Sequence, residues 1–93
     1  MMSPAECVEM VGKHLPEAHC HSRNEGPFFW VFAATCGREF LFEVTPDEVG
    51  VSEITQGTVD FTGHDEAMSD FPGALRWVLD QLSAGGEAAR HAG

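Results

Sequence analysis

Residues 26–46 read GPFFWVFAATCGREFLFEVTP, the most apolar and most aromatic run in the chain. Two stretches rich in Phe, Val, Trp and Thr flank Cys36-Gly37, and glycine there supplies the positive φ that a tight hairpin turn requires. A two-residue turn pairs Thr35 with Arg38, Ala33 with Phe40, Phe32 with Leu41, Val31 with Phe42, Trp30 with Glu43 and Phe29 with Val44. Side chains alternate across a strand, so Phe29, Val31, Ala33, Phe40, Phe42 and Val44 share one face, which is the expected core. Phe28, Trp30, Phe32, Ala34 and Leu41 fall on the other face beside Glu39 and Glu43. A three-residue loop would shift the pairing by one and bring Trp30 and Phe32 inside. In either register large apolar groups remain on the face that carries the glutamates.

Working outward, the 93 residues make one domain, expected over 1–83, with a tail over 84–93 too poor in apolar groups to pack and therefore expected to be disordered. The chain is 43 % hydrophobic and 22 % charged, a globular composition, but 15 acidic residues against 5 basic ones leave a net charge of −10. Such a field repels phosphate backbones and anionic lipid, which argues against nucleic-acid and membrane partners, and it draws in basic proteins. Cys7, Cys20 and Cys36 cannot all pair within one chain. The N-terminus has no signal-peptide pattern and no run reaches membrane-spanning length, so a reducing cytoplasm is the expected home.

Ser3-Pro4-Ala5-Glu6 has the form of a capping box and predicts a helix to about Leu15, with Val8, Val11 and Leu15 on its buried side. Residues 18–23 suit a short, polar edge strand. Thr45-Pro46-Asp47-Glu48 predicts a single helical turn ended by Gly50. A second hairpin is expected from Val51–Thr55 and Thr58–Thr62 around Gln56-Gly57, with Ser52, Ile54 and Phe61 inward and Val51, Glu53 and Asp60 outward. The last helix is expected to start near Ser69 or Asp70. It carries Phe71, Leu75, Val78, Leu79 and Leu82 on one stripe, and Gly85-Gly86 ends it. The expected fold is α+β: a two-layer sandwich in the order α-β-β-β-β-α, with an antiparallel sheet of about four strands and two helices on one of its faces.

The groups capable of chemistry do not converge. His14, His19, Cys20 and His21 are metal-ligating types, but on a strand Cys20 points away from His19 and His21, and a proline separates His14 from them. No metal or other cofactor is expected. Cys36 in the turn and Cys20 beside two histidines are candidate nucleophiles, but sequence adjacency to histidine does not supply the placed base and oxyanion donors that a catalytic thiol needs. The run His64-Asp65-Glu66 is ordinary loop and helix N-terminal chemistry, and no phosphate-binding or dinucleotide fingerprint is present.

What remains is the helix-free sheet face. Phe28, Trp30, Phe32 and Leu41, ringed by Glu39, Glu43, Glu53 and Asp60, have the aromatic centre and charged rim of a protein interface, so these eight are the candidate partner-binding residues. In size and composition alone the chain resembles small acidic bacterial toxin-immunity and inhibitor proteins, and phage proteins that imitate nucleic acid. The expectation is a non-enzymatic protein that docks on and neutralises a basic protein. The alternatives are a secretion chaperone or assembly adaptor, a homodimer that covers the face with a second copy, and a small metal or thiol enzyme.

Overall fold

A computed structural model describes residues 2–54 and 66–92, with side chains for 2–54 and 66–83. Helix α1 spans Pro4–His14 and is capped as its sequence requires. The Glu6 amide donates to the Ser3 hydroxyl at 3.2 Å, and the Ser3 amide donates to the Glu6 carboxylate at 2.9 Å. Five strands follow, β1 (His19–Asn24), β2 (Phe29–Thr35), β3 (Arg38–Val44), β4 (Val49–Ile54) and β5 (Glu66–Met68), and then helix α2 (Phe71–Ala92). The sheet is an antiparallel meander in the order β1-β2-β3-β4-β5. The architecture is the α+β two-layer arrangement, with the edge strand β1 and the short β5 in addition to the central strands.

At the centre the two-residue turn is the one adopted: Thr35 pairs with Arg38 and the register runs from there to Phe29 opposite Val44. Cys36 and Gly37 both take positive φ, 54° and 74°, the signature of a turn whose twist matches that of its flanking strands. Both helices cover the same face, α1 over β1 and β2, and α2 over β3, β4 and β5. Their buried residues Cys7, Val11, Phe71, Ala74, Leu75 and Val78 join Phe29, Val31, Phe40, Phe42 and Val51 in one core. Phe71 packs against Phe42 with ring centres 4.8 Å apart, and Trp77 meets Phe40 edge-on at 6.4 Å.

Three expectations are corrected. Thr45–Glu48 is not a helical turn but the hairpin loop joining β3 to β4. Its Thr45 hydroxyl donates to the Glu48 carbonyl at 2.8 Å and accepts from the Glu48 amide at 3.1 Å. That loop sets Val49 opposite Val44 and phases the whole of β4 from β3. Val51 is therefore fully buried beneath the helices, and Ser52 and Ile54 lie on the helix-free face, the reverse of the expected alternation. Finally, α2 does not stop at Gly85-Gly86; its helical backbone continues to Ala92. The expected return strand Thr58–Thr62 and its Gln56-Gly57 turn lie outside the described residues, as do the side chains of 84–93, the expected tail.

Candidate protein-docking surface

Three cross-strand rows build the helix-free face. The first is His19, Ala34, Glu39 and Ile54; the second His21, Phe32, Leu41 and Ser52; the third Arg23, Trp30, Glu43 and Gly50. Read along the strands, β1 presents imidazole and guanidinium, β2 presents aromatic rings, and β3 presents carboxylates. No helix among the described residues lies over these rows.

The rings form a connected ladder. Phe28 and Trp30 are 6.2 Å apart, Trp30 meets Phe32 edge-on at 6.1 Å, and Phe32 stacks on His21 at 4.8 Å with only 16° between the planes. Trp30 is tied on both sides: its indole N–H donates to Glu43 at 3.2 Å, and the Arg23 guanidinium lies 5.8 Å from its ring centre. Arg23 also pairs with Glu25 at 2.7 Å. Phe28, Trp30 and Phe32 are each half-buried, so part of every ring faces solvent. Where the ladder narrows to Ala34, a hollow of about 140 Å³ opens between His19, His21 and Glu39.

The eight candidate residues divide. Phe28, Trp30, Phe32, Glu39 and Glu43 stand together as expected. Leu41 is on the same face but only 3 % exposed, flanked by Phe32 and Ser52 in its row, so it supports the surface from beneath and offers no contact area. Glu53 is a correction: it pairs with Phe40, on the helix side, and is held there by Arg38. Asp60 lies outside the described residues. Among the described residues the border is therefore not a ring of carboxylates. It is acidic along β3 and basic along β1, an asymmetry the sequence carried in His19, His21 and Arg23 once β1 was taken as a strand beside β2.

The other candidates scatter. His19 and His21 are exposed on the helix-free face, whereas Cys20 turns to the opposite side and packs against the core. Burial pushes the Cys7 thiol up to about 12 and raises that of Cys20, so neither supplies a thiolate at neutral pH. Cys36 is exposed at the hairpin tip. His64 and Asp65 lie outside the described residues, and Glu66 opens β5. No helix among the described residues is long and apolar enough to cross a membrane. Searches against protein-family models, curated proteins and solved structures found no match to this chain.

Proposed function

We propose that this chain is a small, acidic, non-enzymatic binding protein of the cytoplasm, which uses its helix-free sheet face to dock on a basic protein and occlude it. The observation that carries the reading is the Phe28-Trp30-Phe32 ladder, partly exposed and bordered by Glu39 and Glu43 on a chain of net charge −10. The four cations among the residues with described side chains each already face a carboxylate: Lys13 with Glu9, Arg23 with Glu25, Arg38 with Glu53 and Arg76 with Asp80. The acidic excess is thus left to act outward, where it accelerates encounter with a positive surface, while desolvated rings slow dissociation.

The test compares affinity capture by the wild-type chain with capture by Trp30→Ala, Phe32→Ala and Glu39→Lys/Glu43→Lys, followed by titration calorimetry on what is captured. A basic protein held by the wild type, released by salt, and bound more weakly by about 2 kcal/mol or more in the ring variants supports the reading. An unchanged captured set across all variants, or unchanged affinity, removes this face from the function.

One feature favours the chaperone or adaptor reading as the second choice. β1 is an edge strand of six residues, paired on one side with β2, and an extended client segment can add to its other side. Strand addition predicts that Ser22→Pro abolishes client binding and that Trp30→Ala spares it.

A further inference from the structure

The charge asymmetry of the helix-free face has a geometric consequence: the face is complementary to itself. Consider a two-fold axis lying along β2, midway between two sheets that face each other. It places β2 over β2, so Trp30 and Phe32 meet their own counterparts, and it places β1 of each copy over β3 of the other. Rotation about an axis parallel to the strands preserves position along them, so row falls on row. Arg23, which shares its row with Trp30 and Glu43, then lies over the second copy's Glu43. His19, which shares its row with Ala34 and Glu39, lies over the second copy's Glu39, where the small Ala34 leaves room. Each contact occurs twice, as two-fold symmetry demands.

We infer that the free chain masks this face with a second copy of itself, in a two-fold, sheet-on-sheet dimer joined by Arg23–Glu43 and His19–Glu39 contacts in both directions. The interacting groups are already positioned: Glu43 by the Trp30 indole, Arg23 by Glu25 and by the Trp30 ring. Sheets packed in this way align to within about 30° and stand about 10 Å apart, a gap that the opposed rings fill. Only β1, β2 and β3 overlap their counterparts, and three strands at about 4.8 Å spacing and six residues at about 3.4 Å rise give a plane of roughly 300 Å² per copy, below the size of stable specific interfaces and in the range of weak, transient contacts. A contact of that size is displaceable. The dimer is therefore a resting state that a tighter-binding basic partner must dissociate, and the inference rests on the proposed docking function for that consequence alone.

Sedimentation velocity on the full chain, from about 1 µM to about 1 mM, reads the equilibrium without any partner. The wild type is expected to pass from monomer to dimer within that range. Arg23→Glu sets carboxylate against Glu43, and Glu43→Arg sets guanidinium against Arg23, so each variant alone is expected to dimerise at least about tenfold more weakly. Mixed in equal amounts, the two variants restore opposite charges at both contacts, and a heterodimer of near wild-type affinity is expected. A wild-type chain that stays monomeric throughout overturns the inference, as does a dimer indifferent to both reversals or a mixture that fails to recover. Where a reversal prevents folding, Arg23→Gln and Glu43→Gln are read instead, and wild-type dimerisation in both overturns it equally. If the dimer forms but no basic partner is retained by the face, the docking function fails while this inference stands.

Discussion

The Arg38 guanidinium holds the Glu53 carboxylate side-on across β3 and β4, with Nε donating to Oε2 at 2.8 Å and Nη2 to Oε1 at 2.6 Å. Its remaining nitrogen, Nη1, donates to the Gln81 carbonyl of α2 at 3.0 Å, so one side chain joins two strands to the helix above them. Both partners are little more than a quarter exposed, which limits screening by solvent without removing it.

Glu53→Gln is therefore expected to cost about 1 kcal/mol at neutral pH, and the cost should depend on pH with a definite sign. The Arg38 hydrogen bonds, and secondarily its charge, hold the Glu53 carboxyl below the usual carboxylate range. The folded state thus binds that proton less readily than the unfolded chain. The stabilisation is fully present above the unfolded value of about 4.3 and is lost as pH falls through the lower folded value. Urea unfolding of wild type and variant should show a gap that is constant from neutral pH to about 5 and closes under more acid conditions. A gap that does not change with pH would refute the role of ionised Glu53.

Cys36 sits in the turn at φ 54°, a conformation that glycine and asparagine tolerate better than cysteine. Its side chain is exposed, with the Thr35 hydroxyl donating weakly to its sulfur at 3.7 Å. Cys36→Asn is expected to raise stability by about 0.5–1 kcal/mol, and Cys36→Val to lower it by about as much or more, measured as shifts in the urea midpoint at constant slope. Equal midpoints for the two variants would mean that the turn is not under this constraint.

The same turn explains how far the fold was legible. Cys36-Gly37 dictates the β2–β3 register, and with it the faces of all fourteen residues of those two strands, because local turn chemistry and hydrophobic alternation agree there. Phasing β4 from a hairpin around Gln56-Gly57 inverts its faces. The neighbour that phases it is β3, through the Thr45–Glu48 loop, and the alternation of Val49 and Val51 already marked the buried side. That inversion alone sets Glu53 on the helix-free face, whereas its pairing with Phe40 puts it on the helix side. The basic border of the ladder is hidden for a different reason: β1 is exposed at every position but the half-buried Cys20, so its pattern does not announce which of its side chains lie beside Trp30.

The three thiols should separate by reactivity. Cys36 is exposed, Cys20 is half-buried with its thiol raised by burial, and Cys7 is fully buried with its thiol pushed up to about 12. Iodoacetamide at mildly alkaline pH is expected to modify Cys36 first and Cys20 more slowly, with Cys7 reacting only as fast as the chain unfolds. Peptide mass spectrometry over a time course reads the order. Early modification of Cys7 would show that α1 detaches from β1 and β2 far more readily than its burial implies.

Two phenylalanines of the central hairpin distinguish its faces directly. Phe40 is fully buried among the core residues and meets Trp77 of α2 edge-on, whereas Phe32 is half-buried on the helix-free face, where His21 stacks on it. Phe40→Ala removes a whole ring from the interior and leaves a cavity that the sheet cannot close, at a cost of about 3–5 kcal/mol. In a domain of this size that is a large share of the total stability, so the variant should be only marginally folded. Phe32→Ala gives up a stacked cross-strand contact in a solvated setting, at about 1 kcal/mol or less. It should remain folded and carry its defect into association instead, as weaker dimerisation and weaker hold on a basic partner. Equal losses of stability at the two positions would show that both faces of the sheet are sealed, and that the aromatic ladder exists to pack the monomer.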